Sequence, residues 1–396
     1  MQSERIKKIN EGFSEVFRLE PTHLFSSPGR MEIIGNHTDH NHGYALAAAI
    51  DLDILSAVSP NDEFVIRAMT EGFDYVIEID LNDLIYRPEE IGTSASLIRG
   101  VAYRLVSKGY KIGGVNLYMN SIIPRGAGVS SSAAYELLFA KVLSVIYNDD
   151  KIDQYTLAEA GQYAEVNYFG KGSGLLDQIA VSYGAVSLID FNDPSKPKVE
   201  TLDFSLEHFD IILINTGGSH GKLSDLYTQI PADMKEVARY FNKEYLRDVP
   251  YQTFLKVQPQ IYRELGGRPL LRAQHFFDEN ERVIKATAAI KGNSEKDFVQ
   301  LIANSGLSSF NLLQNYTFPD DKEERLYFAY NWARSNFRRG AYRVHGGGFA
   351  GTMLAIVPKP VSNLFIKEGE AYFGKRNLFK VNIRHEGTCL IKDGKY

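Results

Sequence analysis

The sequence predicts two domains in which strands and helices are mixed, and three observations support this. The first hundred residues are dense in strand-type apolar runs. A Gly-rich turn at 126–128 then leads into long helical patterns, and the pattern restarts with a strand after the polar, Pro-containing stretch DFNDPSKPKVETLD. The restart places the boundary near 205, giving an N-terminal unit of residues 1–204 and a C-terminal unit of residues 205–396. With 396 residues, 44% apolar and 23% charged, the chain has the composition of an ordinary globular protein able to bury such cores.

Each element follows from its residues. Residues 4–18 carry apolar side chains at helical spacing, and THLFSSPGRMEIIG reads as a short strand broken at Pro28 and Gly29. YALAAAIDLDILSAVSP and EFVIRAMTEGFDYVIEI are strand-type runs separated by the turn chemistry of SPND. SASLIRGVAYRLVSKGYKIGG predicts a helix that stops near Gly109, and GVNLYMNSIIP alternates as a strand running into Pro124. RGAGVSSSAAYELLFAKVLSVIYND predicts a turn and a long helix, and TLAEAGQYAEVNYFG a second helix ending at Gly170. AVSLIDF and FDIILINTGG are short strands of the buried kind. YRVHGGGFAGTMLAIVP closes the chain as a Gly-interrupted strand pair, followed by a helix and a strand. There is no internal repeat.

Several function classes are disfavoured. The net charge of -5, with both signs interspersed, argues against nucleic acid or anionic lipid as a partner. The single cysteine, Cys389, leaves neither a disulfide nor a Cys-based metal site to build, which fits a reducing cytoplasm. The N-terminal segment lacks the apolar core of a signal peptide, and the longest apolar run is interrupted by Asp51 and Asp53, so neither export nor a membrane span is expected.

Four stretches carry chemistry. In PRGAGVSSSAAYE, Gly126 and Gly128 allow crowded dihedrals that let successive N–H groups converge, and Ser130, Ser131 and Ser132 fall where a helix begins. Gly126, Ala127, Gly128, Val129 and the three serines therefore read as a phosphate cradle without the Lys of a Walker A loop; a serine-capped helix is the plainer alternative. In AEVNYFGKGSGLLDQIAVSYG, Asp177 sits in an apolar context where an unpaired carboxylate is costly, so it needs a partner: with an Arg or a substrate hydroxyl it is a general base, with a helix end a cap. Glu165, on the preceding helix, is a Mg²⁺ ligand or a solvent-facing side chain. RVHGGGFAGTMLA lets a backbone or ligand come close, or is a plain bulge. SPGRMEIIGNHTDHNHGYAL gathers His37, Asp39, His40 and His42; strand alternation disfavours a metal site, and hydroxyl recognition suits these donors and acceptors better.

Taken together, these stretches resemble the GHMP small-molecule kinases and, among them, the galactokinase branch. The branch signature GRxNxIGEHxDY is met by GRMEIIGNHTDH, the ATP loop PxGxGLSSSA by PRGAGVSSSA, the segment AExxxxGxxxGxxDQ by AEVNYFGKGSGLLDQ and the late GGGFGG by GGGFAG. RAQHFFDENERV also resembles the family helix that precedes the last motif. The resemblance implies an α+β fold, with a mixed-sheet α/β sandwich N-domain, a ferredoxin-like C-domain and a cleft between them. It implies an ATP- and Mg²⁺-dependent kinase acting on the anomeric hydroxyl of a small-molecule sugar.

Residue by residue, Asp177 matches the proton acceptor and Arg30 the residue that holds it ionised and steadies the transferring phosphoryl group. Ser132 and Glu165 match the Mg²⁺ ligands, residues 126–132 the phosphate loop, and Asn36, His37, Thr38 and Asp39 the sugar-binding tetrad. Tyr227 matches a substrate-contacting tyrosine. Three positions depart from the signature: Glu32 stands for Asn, Asn36 for Glu and His40 for Tyr. Loss of a carboxylate at 36 removes an acceptor-only group and a negative charge, so a hexose such as galacturonate or N-acetylgalactosamine is an alternative substrate to galactose. A sugar sensor without turnover and a metal-dependent hydrolase are the rival classes. NFRRGAYR, with Arg338, Arg339 and Arg343, reads as a solvated charged segment.

Overall fold

Strand propensity concentrated near the N-terminus builds one large sheet. The computed structural model describes residues 2–124, 126–217, 223–318 and 321–392. Its strands are β1 (His23–Ile34), β2 (Tyr44–Pro60), β3 (Val65–Thr70), β4 (Ile77–Asp80), β5 (Val115–Ser121), β6 (Val186–Asp190), β7 (Lys198–Leu202), β8 (Phe209–Asn215), β9 (Ala341–His345), β10 (Thr352–Pro358), β11 (Leu378–Val381) and β12 (Cys389–Leu390). The helices are α1 (Gln2–Phe17), α2 (Ser94–Ser107), α3 (Ser131–Asn148), α4 (Gln154–Asn167), α5 (Leu176–Tyr183), α6 (Ser224–Tyr240), α7 (Tyr251–Leu265), α8 (Gly267–Lys291), α9 (Glu295–Ser308), α10 (Arg325–Asn336) and α11 (Lys359–Phe373).

The first sheet has eight strands in the order β12-β1-β2-β5-β3-β4, with β6 on β2 and β7 on β6. β2 is long enough to serve two partners: Tyr44–Ala48 pairs with β6 and Ile54–Pro60 with β5. The β3–β5 pair is parallel and the other pairs are antiparallel, so the sheet is mixed. Asp53, which interrupts the apolar run of β2, is fully buried and held by Arg5 at 2.5 Å and Arg384 at 3.5 Å. The second sheet, β11-β8-β10-β9, is antiparallel. In chain order it follows β-α-β-β-α-β, the ferredoxin-like pattern, with α7 to α10 added within the first crossover. One core runs between the first sheet and α2, α3 and α4 and continues through Leu213, Leu354 and Ile356 into the second sheet. β12 returns to pair with β1, so the chain's end crosses back to the first sheet.

The structure corrects the sequence reading in three places and adds one helix that it did not assign. β1 is one strand of 12 residues and is not broken at Pro28; the proline sits where the register shifts against β2, a bulge that spares it a ladder bond. The polar stretch read as a linker holds β7, an edge strand whose solvated residues hide its period. Asp177 lies in the first turn of α5, a helix of eight residues that is too short to show periodicity. Arg343 is not solvated: it is fully buried on β9, while Arg338 and Arg339 are exposed as expected. Among the described residues no helix is long and apolar enough to cross a membrane.

Candidate active site

The first glycine-rich stretch ends where α3 begins. Gly126 and Gly128 take φ of +71° and +67°, and Ser130, which precedes the helix, is also left-handed at φ 56°. Ser130 caps nothing: its hydroxyl donates to Oδ2 of Asp177, so the serine-capped-helix alternative does not hold. The first amides of α3 have no intrahelical acceptors and point out of the helix start.

Arg30 joins this turn to Asp177. Its Nε donates to Oδ1 at 2.7 Å, its Nη2 to Oδ2 at 2.8 Å, and its Nη1 to the carbonyl of Gly128 at 2.6 Å. The bidentate pair fixes both side chains, while Asp177 keeps 23% exposure toward the cleft. Burial pushes the Asp177 carboxyl up, but Arg30's charge and hydrogen bonds, with Ser130, outweigh it and hold the group below its ordinary value. Asp177 is therefore ionised at neutral pH, with an Arg as its partner, so it is not a helix cap.

Glu165 is fully buried and gathers donors from four directions. Ser132 Oγ donates to its Oε1 at 2.8 Å and Lys171 Nζ reaches the same atom at 2.7 Å. Ser173 Oγ and Gln178 Nε2 donate to Oε2 at 2.6 and 3.0 Å. Gln178 Nε2 also donates to the buried Glu136, whose carboxyl is pushed well above its usual range by burial and by Glu165's charge. The solvent-facing reading of Glu165 does not hold.

The loop after β1 is fastened by backbone carbonyls of the second sheet. Asn36 Nδ2 donates to Gly346 O at 2.7 Å, and His37 Nε2 donates to Gly347 O at 2.9 Å. The glycine run of the last motif thus serves as an acceptor rail. A side chain at Gly347 would meet the Tyr227 ring at 2.4 Å, and Tyr227 donates to Gly348 O at 2.9 Å. Burial raises the Tyr227 hydroxyl to about 12, so it stays a donor at neutral pH. The buried His37 ring is lowered to about 4 by burial and by His40, and its Nδ1 has no hydrogen-bond partner among the described residues. Of the four ionisable groups of this loop, His37, Asp39 and His40 line one cavity, with His40 at 3.6 Å from Asp39, whereas His42 stacks on Tyr245 at 3.7 Å; no group of three His, Cys, Asp or Glu able to hold a metal occurs among the described residues.

Two cavities flank the Ser130–Asp177 contact. One, of about 500 Å³, is lined by Arg30, Glu32, Asn36, His37, Asp39, Asp177 and Tyr227 among others. The other, of about 490 Å³, is lined by Ser131 and Ser132 with the aromatics Phe73, Tyr75, Tyr135 and Phe169. Thr38 reaches neither; it is buried, and its hydroxyl donates to Gly35 O at 2.8 Å and Tyr44 O at 2.6 Å.

The family model described as the galactokinase galactose-binding signature matches residues 11–60, and that for the GHMP kinases N terminal domain matches residues 96–185. A galactokinase of Clostridium perfringens strain 13 is 32% identical over 377 residues, covering 93% of this chain and 94% of the relative. The chain belongs to the GHMP kinases, in their galactokinase-like branch. A galactokinase of Clostridium tetani is 28% identical, covering 99% and 97%. The crystal structure of Lactococcus lactis galactokinase complexed with galactose has a TM-score of 0.81 at 25% identity, covering 97% of this chain and 99% of that one. The Methanococcus jannaschii mevalonate kinase shares the fold, at a TM-score of 0.64 and 16% identity, over 91% and 98% of the two chains.

Several residues of this GHMP kinase's site escaped the sequence reading. Glu279 and His275 on α8 hold the loop from beneath: Glu279 Oε1 accepts from the amides of Gly35 at 3.0 Å and Asn36 at 3.4 Å, and His275 Nε2 donates to Asn36 O at 2.9 Å. Both lie within RAQHFFDENERV, noted only as a family helix. Burial raises Glu279, but Arg282, His275 and Arg343 outweigh it and bring it to about 2; His275 is lowered to about 4, chiefly by burial. As the pH falls below 6.5, the usual histidine value, the unfolded chain binds protons that buried His275 refuses. Below 4.5 the same holds for Glu279, which remains charged in the fold until about 2. The contribution of these two groups to stability is thus complete above about pH 6.5 and is lost in two steps on acidification, the Glu279 step amounting to about 3 kcal/mol. Urea midpoints measured from pH 7 to 3.5 should fall, and Glu279→Gln should flatten the part below 4.5; a flat wild-type profile contradicts this assignment.

Proposed function

We propose that the chain is an ATP- and Mg²⁺-dependent kinase that phosphorylates the anomeric C1 hydroxyl of galactose or a near relative. The observation that carries this reading is the ion pair of Arg30 with Asp177, tied through Ser130 to the start of α3 and facing a cavity lined also by Glu32, Asn36, His37 and Asp39. Family membership supports phosphoryl transfer, and the similarity to galactokinases supports a sugar as acceptor.

The residues present fit a magnesium–nucleotide complex. Residues 126–132 bring a turn with Gly126, Gly128 and Ser130 left-handed to the start of α3, where unpaired helix amides favour an anion. The aromatic-lined cavity beside Ser131 and Ser132 suits a base, and Ser132 with Glu165 offers the hydroxyl and carboxylate oxygens that Mg²⁺ shares with phosphates. When bound, Mg²⁺ neutralises charge on the phosphate oxygens. Lys171, paired with Glu165 Oε1, would have to yield that oxygen to the ion.

On this reading Asn36, His37, Asp39 and Tyr227 line the sugar's side of the cleft, and Thr38 buttresses their loop. Asp177, held ionised by Arg30, orients the acceptor hydroxyl and takes its proton late in the transfer, as phosphoryl transfer asks more of position and charge than of a strong base. Arg30 balances the charge that moves with the phosphoryl group. We place the domain division at 1–204 and 205–396 and the protein's work on free sugar in the cytoplasm. The test is a panel of galactose, galacturonate and N-acetylgalactosamine with ATP and Mg²⁺, following ADP and sugar phosphate. At least one sugar should be consumed one-for-one with ATP. Sugar binding without turnover would replace this reading by that of a sensor.

A further inference from the structure

The signature's two inner departures exchange a carboxylate and an amide: Glu32 stands where the branch has Asn, and Asn36 where it has Glu. That negative charge therefore stands four residues earlier, on β1, and is not lost, which corrects the expectation drawn from position 36 alone that the pocket gives up one carboxylate. The two side chains touch, Asn36 Nδ2 donating to Glu32 Oε1 at 3.1 Å.

Their hydrogen-bonding capacities differ. Asn36 has spent its amide: Nδ2 donates to Glu32 and Gly346, and Oδ1 accepts from Asn315 at 2.9 Å and Ser309 at 3.4 Å. Glu32 has spent only one oxygen. Oε1 accepts from Asn36 and, at 2.5 Å, from Nη2 of the fully buried Arg343, while Oε2 has no donor among the described residues. Oε2 is not sealed in, for the side chain keeps 10% exposure and lines the cavity that Asp177 faces. An ionised carboxylate accepts at both oxygens, and leaving one idle in a nearly buried site is costly unless a ligand supplies the hydrogen.

Resting on the sugar-kinase reading above, we propose that Glu32 determines substrate specificity: Oε2 accepts one ring or exocyclic hydroxyl of the sugar, and Arg343 fixes the carboxylate through Oε1. An acceptor-only group selects a donor, so a hydroxyl is required at that position and a carboxylate is repelled. This argues for a neutral hexose over a uronic acid.

The test is kcat/KM for galactose, its 2-, 3-, 4- and 6-deoxy analogues and galacturonate, in wild type, Glu32→Gln and the doubly neutral E32Q/R343Q. The double variant covers the case in which Arg343's unpaired buried charge unfolds the single one. In wild type one deoxy sugar should lose about 10- to 100-fold, the worth of a hydrogen bond to a charged group. In either folded variant that loss should shrink to within about threefold, and galacturonate should gain at least about tenfold relative to galactose. If wild type turns over galactose but handles every deoxy sugar within about threefold, or if the penalties persist in the variants, Glu32 serves only the fold and the proposal fails. If wild type phosphorylates no sugar at all, the sugar-kinase reading itself has failed.

Discussion

Replacing Asp177 with Asn should lower kcat by about 10²–10⁴-fold, the range that a positioned proton acceptor contributes. The change keeps the shape and can still accept from Ser130, but it turns an NH₂ toward the Arg30 guanidinium, where donor meets donor. Asp177 retains 23% exposure, so the cost to the fold should fall short of the about 3–5 kcal/mol of a fully buried pair broken on one side. Rapid-quench kinetics at saturating sugar, with nucleotide binding measured separately, would check this. A fall in kcat with nucleotide affinity nearly unchanged is expected. A kcat within a few-fold of wild type would remove Asp177 from the chemistry.

Arg30→Met should be as damaging and should carry a pH signature. An arginine that stabilises a transferring phosphoryl group is worth about 10³-fold or more. Its loss also leaves burial unopposed at Asp177, whose carboxyl in the native site is held below its ordinary value. Because the depressed carboxylate acts in its ionised form, activity is lost as the pH falls through its value. Raising that value moves the acid limb of kcat to higher pH. A pH profile of wild type and variant would show the shift. A uniform loss at every pH would mean that Arg30 acts without touching Asp177's ionisation.

Long periodic segments and turn chemistry were legible in the sequence. α2, α3 and α4 fall where their apolar spacing, caps and glycines put them, and β8 and β10 where unbroken apolar runs do. What failed was short or mixed. α5 offers eight residues, β7 is a solvated edge, and Pro28 looks like a break because a bulge is invisible without the partner strand. Arg343 took its reading from the exposed Arg338 and Arg339, although β9 turns it into the protein toward Glu32. The site was legible as four motifs, but their convergence was not: Arg30 and Asp177 lie 147 residues apart, and no local spacing brings them together. Their pairing came from resemblance alone. Glu279 and His275 drew no notice because a charged or polar residue on a helix is usually solvated.

The central claim is that the Arg30–Asp177 pair presents a sugar's anomeric hydroxyl to a nucleotide held at the start of α3. The most direct measurement is NMR of the product formed from ATP, Mg²⁺ and galactose labelled with ¹³C at C1. We expect the labelled carbon to be split by phosphorus, with one ADP released for each sugar converted. Phosphorus coupled to any other carbon, or ADP formed while the labelled signal stays unsplit, would contradict it.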